Sequence, residues 1–247
     1  MSIIDKARAD RRIAALLQRV QQRVKLKFEK SGGTDWLSSV EGDRAVIEYV
    51  GCAHPSAALA QELLQIDMQL SGYRPIRLGI SSVFEIDAMP NFINVLEHEL
   101  QRHKYYRAFL ALGFEPDQFY READKITSPY LNRVLATPPE KLSDVIPSFL
   151  MLIAPGGTMT LETYQSLYDR FLALNNRTYT KQLLTIEQLF QDWGASESLD
   201  QTLTVKKIML TIEPKENFSW FGFKDETGFP DNGFFVDEVF SVRVVPS

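Results

Sequence analysis

The sequence predicts an α+β fold: a small sheet near the start, a run of helices through the middle and an antiparallel β element at the end. Three observations lead there. Apolar residues recur at helical spacing over 13–24, 59–70 and 92–110; β-favouring stretches flanked by turn residues stand at 24–28 and 45–50; and β-favouring residues return after Thr202. The chain has 247 residues, 45% hydrophobic and 24% charged, a composition that excludes disordered and fibrous classes.

The elements follow in order. Ile13, Leu16, Leu17, Val20 and Val24 share one stripe, so an amphipathic helix is expected from Ile3 to Lys25. Strands are expected at Val24 to Phe28 and Ala45 to Val50, and the turn clusters 31–35 and 41–43 between them suggest a hairpin or meander. Pro55 suits a first helical turn, and Leu59, Leu63, Ile66 and Leu70 form a stripe that stops at Gly72. Pro90 and Asn91 open a second helix, apolar at Phe92, Leu96, Leu100, Phe109 and Leu110 and ended by Gly113. Residues 115–139 read as short helices and turns, and further helices are expected at Lys141 to Ile153, Leu161 to Leu174 and Lys181 to Trp193. Leu203 to Val205, Ile208 to Ile212 and the alternating Phe234 to Val245 are expected to form the terminal β element. Ala154-Pro155-Gly156-Gly157 breaks the helical pattern and divides the chain into 1–153 and 158–247, two parts able to pack as one domain.

Charge and cysteine count narrow the setting. A single cysteine, Cys52, leaves no internal disulfide, and with no leader-like start the expectation is a reducing, cytoplasmic location. No apolar run reaches the 18 residues or more of a membrane span. Net charge is −5, against a nucleic-acid binder, yet residues 1–30 carry nine Lys or Arg and only three acidic residues. That basic helix, with Arg11, Arg12, Arg19 and Arg23, is one candidate docking surface. The aromatic-rich segment from Phe218 to Phe235 is another, with packing under a loop as its plainer explanation.

The stretch Gln61-Glu62-Leu63-Leu64-Gln65 lies on the helix after the small sheet. It resembles the active helix of the zincin-like metallopeptidases, particularly small bacterial ones, whose His-Glu-x-x-His motif sets two zinc-binding histidines on one helix face. In that family the glutamate activates water. The following helix, with Asn94-Val95-Leu96-Glu97-His98-Glu99, is similar to the one that supplies a third ligand. The resemblance spans 24–120, about two fifths of the chain, and maps the catalytic glutamate onto Glu62 and the third ligand onto Glu97 or His98.

The departure from the family falls on the metal ligands. Gln61 and Gln65 stand at the two histidine positions, and a neutral amide oxygen is a far weaker zinc ligand than imidazole. His98 and His103, five residues apart, diverge by about 140° around a helix, so they supply no substitute pair. The resemblance therefore implies a catalytically degenerate pseudo-peptidase that binds a protein or peptide without zinc or another cofactor, in a bacterial toxin, defence or regulatory assembly. Its cleft would be lined by Gln61, Gln65, Glu97 and His98. One alternative is a divergent metal-dependent hydrolase, with Glu62 as general base and Glu97, His98 and His54 on the metal. A second is a structural subunit docking through the basic helix or the aromatic segment. Without the resemblance, Gln61, Glu62 and Gln65 read as the exposed polar face of an amphipathic helix.

Overall fold

The computed structural model describes residues 2–119, 124–212, 218–223 and 229–237. It is an α+β protein whose described residues separate into two compact units, each drawn from several stretches of chain. The first contains Met1–Tyr73, Lys104–Ile126 and Pro155–Met159, and the second contains Arg74–His103, Thr127–Ala154 and Thr160–Ser247.

In the first unit the N-terminal segment is two helices rather than one. α1 (Ile3–Arg8) and α2 (Ala14–Arg23) are separated where the Asp10 carboxylate accepts from the Arg12 backbone N–H and opens a short 3-10 turn at Arg11–Ile13. The apolar stripe survives this break, since Ile13, Leu16, Leu17, Val20 and Val24 are all buried. β1 (Lys25–Lys30), β2 (Leu37–Glu41) and β3 (Arg44–Tyr49) form a sheet in the order β1-β3-β2. β2 and β3 make an antiparallel hairpin, and β3 also pairs with β1 in parallel. β2, Leu-Ser-Ser-Val-Glu, is the strand that periodicity does not reveal; pairing with β3 decides it.

α3 (Pro55–Leu70) follows with Pro55 in its first turn, and Gly72 stands just beyond its end with φ of +112°. Ala57, Ala58, Leu59, Ala60, Leu63, Leu64, Ile66 and Met68 are buried, so the helix is covered on nearly all sides. Helices α1 and α2 and strand β2 pack on it. α4 (Met89–Ala111) contributes Met89–His103 to the second unit and 104–111 to the first, where Phe109 stacks with Phe114 and meets Phe119 edge-on. At 155–157 the backbone is pinned in the first unit: the Gly157 N–H donates to the Pro116 carbonyl, and Gly156 sits at φ of +74°.

The second unit holds α5 (Asp124–Ala136), α6 (Leu142–Ile153), α7 (Leu161–Leu172), α8 (Thr180–Ala195) and α9 (Thr202–Ile212), the first two residues of α5 belonging to the other unit with the third, Ile126. It also holds an antiparallel sheet in the order β4-β5-β6, made of Leu78–Ser81, Ser219–Gly222 and Gly233–Phe235. The expected strands within 203–212 are a helix instead. Val205, Ile208, Met209 and Ile212 are buried at i, i+3, i+4 and i+7 and seat α9 against α8, so a helical face overrides the β preference of the residue types. The terminal β element does form, with β5 from the aromatic segment at its centre and β4 recruited from before α4. The alternation expected beyond Asp237 lies outside the described residues. Trp220 and Phe221 are fully buried, so β5 belongs to the core, while Phe229 is exposed. Among the described residues no helix is long and apolar enough to cross a membrane.

Candidate functional site

α3 carries the sequence-predicted motif into the interior of the first unit. Gln61 and Glu62 are 1% and 2% exposed and Gln65 is half-buried, which corrects the exposed polar face expected for three such residues. Good helix-forming polar residues normally mark a solvated side, but here α1, α2 and the sheet leave α3 little surface to expose.

Burial makes the partners of these groups decisive. The Gln61 side-chain amide donates to the Gln118 backbone carbonyl at 3.4 Å, a long bond that ties α3 to the 3-10 turn at Pro116–Gln118. The Gln118 side chain in turn lies 3.4 Å from His54 Nδ1, and His54, at the N-terminus of α3, is exposed. The first unit thus brings together His54, Gln61 and a residue that sequence reasoning missed, Gln118. Nothing in the chain's local pattern marks Gln118, because its role rests on a contact made across 57 positions.

Glu97 and His98 belong to the second unit and point apart. Consecutive helical residues are about 100° apart around the axis. Glu97 is accordingly buried and His98 exposed. The Glu97 carboxylate is fully engaged: Oε2 accepts from the Ile76 backbone N–H at 2.9 Å, and Oε1 accepts from the Gln101 side-chain amide at 2.6 Å. It therefore anchors the strand approach at Ile76 to α4, a structural duty for a residue that the resemblance makes a metal ligand. Two residues on, Glu99 is buried against Arg102 at 2.8 Å, and burial pushes its carboxyl above the usual range. His103 is half-buried, with its ring 5.0 Å from that of Phe190 and held at Ile153 by a bond to the backbone carbonyl; partial burial of the imidazole lowers its pKa to about 4. Its Nε2 and Glu99 Oε2 have no hydrogen-bond partner, so the Ile153 bond runs through Nδ1.

Among the described residues, no three His, Cys, Asp or Glu side chains are grouped so as to hold a metal ion. Two amides at the positions of the family's histidines, one of them bonded to backbone, are a poor set for zinc.

The basic first helices are tied internally. Arg19 clasps the Asp67 carboxylate through Nε at 3.2 Å and Nη2 at 2.9 Å. Arg23 reaches Asp67 and Ser71 and donates to the Leu70 carbonyl. Arg12 bonds to Asp10 and lies over the Phe114 ring at 3.9 Å. Arg19 and Arg23 fasten α2 to α3 and Arg12 holds the 3-10 turn at Gly113 and Phe114, so charge reversal there acts on stability before it acts on docking. Asp67→Ala is expected to lower the unfolding free energy by about 1 kcal/mol, read by urea denaturation, because both arginines lose a partly shielded partner.

No protein-family model, no curated protein and no solved structure matches the chain.

Proposed function

We propose that the chain is a catalytically degenerate, zincin-like protein that acts by binding a protein or peptide in a cytoplasmic setting, without zinc or another cofactor. The observation that carries this reading is the bond from the Gln61 amide to the Gln118 carbonyl. At the position where the resembled family needs an imidazole free to bind metal, this chain has an amide used to brace its own fold. Gln65, one turn along, supplies a second neutral amide, so the substitution removes both ligands of the helix.

The hydrolase alternative asks more of the same residues. Glu62, its general base, is 2% exposed, and general-base catalysis requires reach to a water. Glu97 is engaged with Ile76 and Gln101, and it cannot face the same ion as its neighbour His98 without releasing them. A bacterial defence, toxin or regulatory assembly is the context that the resemblance suggests.

A displayed random-peptide library tests this reading. The expected result is enrichment of bound sequences that mass spectrometry recovers intact, with or without added zinc and equally for wild type and Glu62→Gln. Zinc-dependent cleavage that Glu62→Gln abolishes would overturn it in favour of the hydrolase, and no enrichment at all would remove peptide binding.

A further inference from the structure

The outward face of the first unit's sheet has an ordered charge pattern set by strand register. Lys25 lies opposite Arg44 and Glu29 opposite Glu48, with Lys27 opposite Val46 between them. On the other side of β3, Glu41 stands beside Arg44 and Leu37 beside Glu48. One end of the face is thus mainly basic, the other acidic and flanked by the 55%-exposed Leu37, and half-buried Val46 is at the centre.

Like charges directly opposed across a strand pair destabilise a sheet, and this sheet has two such rows. Neutralisation inside the chain is incomplete. Lys25 meets Asp43 at 2.6 Å and Lys27 meets Glu29 at 2.6 Å, but Arg44 approaches Asp43 only at 4.0 Å, and Glu48 enters no ion pair among the described residues. Arg44, Glu48 and Glu41 are the incompletely answered charges of the face; Arg44 and Glu48 lie on the same central strand, on either side of Val46, and Glu41 stands beside Arg44 on β2.

We propose that this face is a self-association surface whose occupant is a second copy of the chain, packed sheet on sheet. An isologous interface must be complementary to itself, and a face with opposite charges at its two ends meets that condition under one kind of two-fold axis. With the axis in the interface and across the strands at the level of Val46, Arg44 lies over Glu48 of the second copy and Lys25 over its Glu29. Val46 meets Val46 and Lys27 meets Lys27 across the axis, where the 2.6 Å ion pair of each Lys27 with its own Glu29 offsets part of the repulsion. An axis along the strands would instead oppose Arg44 to Arg44. The strands of the two sheets then run antiparallel, within the aligned class of sheet packing.

The size of the face sets the strength. Three strands of five residues cover about 14 by 17 Å, roughly 240 Å², well under the roughly 800 Å² per partner of a standard interface. The dimer is accordingly weak and reversible, and because its charges stay near solvent, salt weakens it.

Sedimentation velocity on the full chain over a concentration series, at low salt and at ~0.5 M salt, tests the proposal. Wild type is expected to dimerise at low salt and dissociate at high salt. Arg44→Glu and Glu48→Arg, each checked for folding by circular dichroism, should each weaken the dimer about tenfold, because each places like charges face to face at both ends. An equimolar mixture of the two variants, and the double swap Arg44→Glu with Glu48→Arg, should restore it, since every introduced charge again meets its opposite. Wild type monomeric throughout, single variants that dimerise as wild type does, or a mixture and a double swap that stay monomeric while folded would each overturn it. The outcome is independent of peptide binding and of metal.

Discussion

Glu97→Ala is expected to lower the unfolding free energy by about 3 kcal/mol, because two buried donors, the Ile76 N–H and the Gln101 amide, lose their acceptor together. A buried donor left without a partner keeps its full desolvation penalty, whereas the contact it replaced had only a modest net value. Glu97→Gln should cost less, since its carbonyl oxygen can still satisfy one of the two donors. Chemical denaturation of the three proteins checks the order. Equal stability of Glu97→Ala and wild type would remove the anchoring role. The result also governs how a metal-content experiment is designed: metal lost from Glu97→Ala could reflect a weakened fold, while metal lost from folded Glu97→Gln would indicate a ligand.

Stability should also fall steeply in mild acid, and His103 is the residue responsible. Its ring lies against Phe190, near Arg102, with Nδ1 bonded to the Ile153 carbonyl and a buried Nε2 without a partner, so a second proton would be a buried charge with no acceptor. The folded pKa is about 4 against an ordinary 6.5. The sign follows from proton counting. Above pH 6.5 the ring is neutral in both states and the folded state has no disadvantage; below 6.5 the unfolded chain takes up the proton while the folded one refuses it. Stability is therefore lost progressively from pH 6.5 down to about 4, by about 3 kcal/mol in total.

Glu99 acts in the opposite direction. Burial raises its carboxyl pKa although Arg102 holds it down, so its contribution is present below its unfolded value and is lost as pH rises through the folded one. His103→Gln isolates the histidine, because the amide can still donate to the Ile153 carbonyl yet does not titrate. Urea unfolding at stepped pH should show the acid loss in wild type and a flatter profile in His103→Gln. Parallel profiles would assign the acid sensitivity elsewhere.

Much of the scaffold was legible from local pattern. The stripe Leu59, Leu63 and Ile66 marks the side of α3 that is fully buried, and Gly72 and Gly113 follow the ends of α3 and α4 with positive φ, as a C-terminal glycine should. The helical signal of α9 was equally present in Val205, Ile208, Met209 and Ile212, but β-favouring residue types obscured it. The candidate site was legible only in its residue types. Gln61 and Glu62 looked solvated because local pattern cannot register that helices and a sheet from other parts of the chain cover the same helix.

The sequence by itself determined the α+β class, the positions of most helices and the absence of histidine from both places where the resembled family has it. These are properties of composition and of spacing within a few turns, where backbone geometry alone sets which residues share a face. Tertiary structure alone decided that Gln61 braces Gln118, that Glu97 anchors Ile76 rather than standing free, that Nε2 of His103 is buried without a partner and that the charges of β1 and β3 fall into opposed rows. Each of these depends on which distant residue arrives alongside, and a buried polar group acquires its role from that partner, because without water the partner is the only source of its hydrogen bonds.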